Sequence, residues 1–140
     1  MKKRYLTPEA MMAKAEKACS SARMLLDHGD SDGATNRAYY AMFDAARASL
    51  LASGAPVDLE KIRTHSGLIG AFGKFLVENG PVAKDMGRLL NSAREARMAA
   101  DYDGVHVDPE DARNIVKHAE TFVVAMRTEF MPEDDDGPEP

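Results

Sequence analysis

The sequence is short of the residues that staple, chelate or anchor a protein. It holds one cysteine, Cys19, in 140 residues, so no intrachain disulfide can form. Its four histidines, His28, His65, His106 and His118, are scattered and make neither an HExxH nor a CxxC pair, so no metal is expected. A phosphate-cradling glycine loop is also missing, and no cofactor is expected. Charges interrupt every apolar stretch well before the roughly 20 residues needed to cross a bilayer, which argues against a membrane protein. Met1-Lys2-Lys3-Arg4 runs into Tyr5-Leu6-Thr7-Pro8 rather than into an apolar signal segment, and the expected location is cytoplasmic. Neither strand-like alternation nor an internal repeat is found.

Acidic residues exceed basic ones, for a net charge of -5, but the excess is local. Glu133, Asp134, Asp135, Asp136 and Glu139 supply five of the 23 acidic residues, which leaves 18 against 18 over residues 1–130. The expected division is a helical domain over 1–130 and an acidic, disordered tail over 131–140. The balanced body leaves room for local basic patches.

Start and stop residues divide the body into five helical segments. The first is predicted from Thr7-Pro8-Glu9 to about His28, with Gly29 as its stop. The second runs from Asp30 or Ser31 to Ser53, before Gly54-Ala55-Pro56, with Tyr39, Met42, Phe43, Ala46 and Leu50 as an apolar stripe among many alanines. A shorter third helix is predicted over about Ser66–Asn79, a fourth over about Val82–Asp101, and a fifth from Asp108-Pro109-Glu110-Asp111 to about Glu129. Short connections force neighbours antiparallel, so the predicted fold is all-α: an up-down antiparallel bundle of about five helices.

Three constellations could carry chemistry. On the second helix Arg37, Tyr40, Ala41 and Asp44 share a face. That face either meets solvent, with Asp44 pairing to Arg47, or holds a phosphate or a partner carboxylate with a fixed guanidinium and a tyrosine hydroxyl. Arg97 and Asp101 stand four apart near Tyr102, placed for a tie within the bundle or across an interface. Before the third helix, Lys61-Ile62-Arg63-Thr64-His65-Ser66 sets a histidine among cations and a helix N-terminus, which would lower its pKa. Thr64 or Ser66 could equally be there as a cap.

These stretches resemble the HEPN family. Asn36 through Ala48 is similar to its second-helix signature, Arg63-Thr64-His65-Ser66-Gly67-Leu68 to the turn before its third helix, Ala96-Arg97 through Asp101-Tyr102 to its arginine-to-Asp-Tyr segment, and Ala112 to Val123 to its closing helix. The resemblance spans roughly residues 8–128. It implies a helical bundle, usually a homodimer, often encoded beside a minimal nucleotidyltransferase in a toxin–antitoxin pair. Many members are metal-independent ribonucleases built on an arginine followed four to six residues later by a histidine. Arg37 matches that arginine, but with six residues between, Asp44 occupies the histidine's place. A carboxyl of reference pKa near 3.9 serves poorly as a proton donor unless burial raises it, so cleavage is expected to be weak or absent. A toxin branch whose tyrosine is nucleotidylated by the partner ends this motif in histidine-any-tyrosine, which Asp44-Ala45-Ala46 does not match.

The leading expectation is a nucleotide- or RNA-binding, toxin-like component of a two-component nucleotidyltransferase system. Its phosphate-binding candidates are Arg37, Tyr40, Arg63, Arg97, Asp101 and Tyr102. A rival reading is an active metal-independent endoribonuclease using Arg37 with His65 or Asp44. A third is a non-catalytic structural or regulatory dimer. The expected homodimer has the second-helix polar face, beside small Ala41 and Ala45, at or near its interface.

Overall fold

The computed structural model describes residues 7–62, 64–104 and 106–132, apart from the side chains of Tyr102 and Asp103. Five α-helices follow one another: α1 (Pro8–Asp27), α2 (Ser31–Ser53), α3 (His65–Ala71), α4 (Lys84–Asp103) and α5 (Pro109–Phe130). The expected all-α fold is what the chain adopts.

The helix starts follow from local chemistry. The Thr7 hydroxyl accepts from the Ala10 amide, and Pro8 opens α1 where no amide hydrogen is needed. Asp30, Thr64 and Asp108 cap α2, α3 and α5 in the same way. Gly104 closes α4 with φ +67, a left-handed conformation that glycine adopts without strain, and the chain turns there toward α5. Asp32, in the first turn of α2, fastens that turn by accepting from the Val107 amide and pairing with His106 Nδ1, both at 2.7 Å.

Two boundaries differ from expectation. The third helix is α-helical only over His65–Ala71 and continues as a wider π-helix over Phe72–Glu78. Its apolar side is kept, with Leu68, Phe72 and Leu76 buried. The fourth helix begins at Lys84 rather than Val82, because Ala83 is extended and the Val82 amide donates back to the Leu76 carbonyl.

Helix α2 is the central element, packed against α1, α5 and α4. Ala34, Ala38, Ala41, Ala45 and Ala48 recur every three or four residues and are fully buried, so their small side chains let neighbouring helices approach closely. Met12, Met42, Phe72, Leu90, Phe122 and Met126 fill the core between helices. Each such side chain contributes about 1.5–3 kcal/mol on burial. Ion pairs from Arg23 to Glu120 and from Arg127 to Glu16 clamp α1 to α5 and fix them antiparallel. Burial pushes the Cys19 thiol up to about 11, which keeps it protonated. Among the described residues no helix is long and apolar enough to cross a membrane. Residues 133–140, most of the expected tail, lie outside the described part.

Candidate functional site

The polar face of α2 is not a solvated surface. Asp44 is only 9% exposed and forms no hydrogen bond or ion pair with any described residue. The expected pairing with Arg47 is replaced by a looser arrangement in which Lys14, Arg47 and Arg37 act on the carboxylate electrostatically. Burial is the largest influence and raises the Asp44 pKa, and the three cations oppose it. Ala41 and Ala45 are fully buried within the chain and are not available to a second copy.

Two sites meet at Arg37 and Tyr40. The first is an aromatic and cationic cluster built from α2, α3 and α4. Arg37 lies over the Tyr40 ring at 5.5 Å, and Arg97 reaches the same ring at 5.4 Å and the Tyr39 ring at 5.6 Å. Such stacking suits guanidinium, whose planar charge is weakly hydrated. Asp101 holds Arg97 from the next turn at 3.1 Å. The order Arg then Asp is the less favourable one for an exposed pair, and here Arg97 is partly buried against the two rings. Its Nε is buried without a hydrogen-bond partner among the described residues.

His65 joins this cluster from the first position of α3. Its Nδ1 is hydrogen-bonded to the Tyr39 hydroxyl at 3.0 Å, with the donor set by the imidazole tautomer, and its ring packs on Phe43 at 4.6 Å. Thr64 caps the helix by accepting from the Gly67 amide at 2.9 Å, so capping and histidine placement are two results of one turn. The His65 pKa is lowered as expected, and among the described residues the causes are burial first, then the charges of Arg97 and Arg94. Burial likewise pushes the Tyr39 hydroxyl up to about 12. A neutral imidazole held at Nδ1 has Nε2 left for a ligand or a proton.

The second site is a cleft of about 520 Å³ between α1 and α2, lined by Lys14, Lys17, Ser21, Arg37, Tyr40, Phe43, Asp44 and Arg47. None of its four cations forms an ion pair with a described carboxylate, whereas Arg23, Arg88, Arg97 and Arg127 all do.

The structure therefore brings together Arg37, Tyr40, His65, Arg97 and Asp101, and sets Asp44 apart in the adjoining cleft. Arg63 and the Tyr102 side chain lie outside the described residues. Sequence reasoning missed Lys14, Lys17 and Arg94, and had Arg47 only as a partner for Asp44 and Tyr39 only as part of the apolar stripe. The first two sit three apart on α1 among other exposed residues, and only helix packing reveals that they face α2. Among the described residues no three of His, Cys, Asp and Glu gather as a metal-holding group.

Comparison with known proteins follows the same lines. The HEPN domain family matches residues 8–128. A UPF0332 protein of Gloeobacter violaceus is 36% identical over 126 residues, which cover 86% of this chain and 96% of the relative. A UPF0332 protein of Thermotoga maritima is 32% identical, covering 81% of this chain and 83% of its own. A Methanocaldococcus jannaschii protein named "Putative toxin" is also 32% identical, covering 82% of each chain. With a bundle of this form and a family match across nearly the whole described structure, the chain belongs to the HEPN domain family.

Proposed function

We propose that this chain is the toxin-like HEPN component of a two-component nucleotidyltransferase system, and that it acts by binding RNA or a nucleotide with weak cleavage or none. The observation that carries the reading is the shared Tyr40 ring, against which Arg37 and Arg97 both pack. Two guanidiniums held beside an aromatic face suit a phosphate with its neighbouring base. The relative named "Putative toxin" supports the toxin-like part, and the family resemblance supports a nucleotidyltransferase partner. Weak cleavage is read from position 44, where a carboxyl takes the place of the motif histidine: burial raises its pKa, but Lys14, Arg47 and Arg37 oppose that and favour the ionised form, which has no proton to donate.

Salt-titrated binding of single-stranded RNA tests this. Each phosphate-neutralising cation adds roughly 0.7 to the slope of log affinity against log salt for a single strand. Arg37→Ala and Arg97→Ala should each weaken binding and flatten the slope by about that amount. Unchanged affinity and slope in both variants would remove the phosphate site from this cluster.

A further inference from the structure

We propose that the cleft between α1 and α2 is a nucleobase pocket selective for guanine, with Asp44 reading the base and the surrounding cations holding its phosphate. The proposal rests on the RNA- or nucleotide-binding reading above and assigns it a base preference.

Three observations converge. Asp44 is nine-tenths buried, lines the cleft and lacks a hydrogen-bond partner among the described residues. A buried carboxylate in that state forgoes hydrogen bonds that a ligand can return. Lys14, Lys17, Arg37 and Arg47 form no ion pair with a described carboxylate, and the single charge of Asp44 offsets only part of theirs, so the cleft walls keep a positive excess. Tyr40 and Phe43 add apolar ring surface to the same walls. At about 520 Å³ the cleft falls within the size range of small-molecule sites.

The chemistry selects among ligands. An ionised carboxylate is acceptor-only, with two oxygens side by side. Guanine's pairing edge carries two adjacent donors, N1–H and the N2 amino group, which match those oxygens. Adenine and cytosine set one donor beside an acceptor, and uracil sets one donor between two acceptors. An acidic peptide would satisfy the lysines and arginines but would place its own carboxylates against Asp44. A guanine nucleotide meets both demands, because its anionic end and its donor edge are at opposite ends of one molecule.

The experiment measures binding of GMP, AMP, CMP, UMP and inorganic phosphate to the full chain by calorimetry, with single-stranded RNA binding run in parallel. Wild type should hold GMP at least about tenfold more tightly than the other three, the discrimination expected of a two-bond contact. Asp44→Asn replaces one acceptor by a donor at constant shape. It should bring the four nucleotides within about twofold of one another, while inorganic phosphate binds as well or better because a negative charge has gone. Lys14→Ala with Lys17→Ala should weaken all four nucleotides alike and leave the order unchanged. Circular dichroism of each variant confirms folding. Equal binding of the four nucleotides by wild type, or a GMP preference that survives Asp44→Asn, overturns the guanine pocket, and salt-sensitive RNA binding in the same samples would leave the phosphate reading standing. Loss of both RNA and nucleotide binding in wild type overturns the two together.

Discussion

Asp44→Asn should make the protein more stable at neutral pH. The wild-type carboxylate is nine-tenths buried and has no hydrogen bond to a described residue, while Lys14, Arg47 and Arg37 attract it from a distance. Which effect wins is decided by the direction of its pKa, which is raised, with burial ahead of the three cations. The ionised form is therefore less favourable in the fold than in the unfolded chain. The asparagine amide is also polar and unpaired, so of the about 1–3 kcal/mol that such a buried group costs the substitution recovers only the share due to the charge, which the attraction of three cations keeps to about 1 kcal/mol. In a chain of this size that corresponds to a rise of about 4 °C in Tm. The pH dependence has a definite sign. A carboxyl whose folded pKa is raised imposes its full penalty above that pKa and none below the ordinary value of 3.8, where both states are protonated. Thermal melts of wild type and Asp44→Asn should thus differ at neutral pH and converge as pH falls toward 3.8, the other carboxylates cancelling in the comparison. A lower Tm for the variant at neutral pH, or a gap that does not change with pH, would refute the reasoning and show that attraction outweighs burial.

Asp44→His should create or strengthen metal-free cleavage of single-stranded RNA, by about 10²-fold or more over wild type, because Arg37 lines the same cleft and an imidazole can move a proton near neutral pH. Adding Arg37→Ala to that variant should remove the gain, and robust Arg37-dependent cutting by wild type would contradict the weak-cleavage reading. Sedimentation at tens of micromolar should give about twice the 15.3 kDa chain mass, the homodimer that the family resemblance implies. A monomer would rule out a site composed of two copies.

Most limits of the helices, though not the start of α4, were legible in the sequence because they are set locally. Thr7-Pro8, Asp30, Thr64 and Asp108-Pro109 satisfy free backbone amides within their own turns, and Gly104 takes up the conformation that ends α4. The apolar stripe of α2 and the motif order that resembles the HEPN family were equally open to inspection. The π-helical stretch over Phe72–Glu78 was not, since a change of winding that keeps Leu68, Phe72 and Leu76 on the buried side leaves no mark in residue spacing.

Tertiary structure decided the character of the site. Spacing along α2 puts Arg37, Tyr40 and Asp44 on one face but is silent on what covers that face. Packing of α1 brings Lys14 and Lys17 against it and takes Asp44 out of water, while α3 and α4 deliver His65 and Arg97 to Tyr40 from residues 25 and 57 positions further along the chain. The lowered pKa of His65 shows the same division: sequence neighbours suggested its direction, but the burial and the Arg94 and Arg97 charges that cause it come from outside its own turn. Hydrogen bonds that cap a helix reach three residues, and a sequence displays them; electrostatic fields and burial act through space, and only the folded chain determines which groups share it.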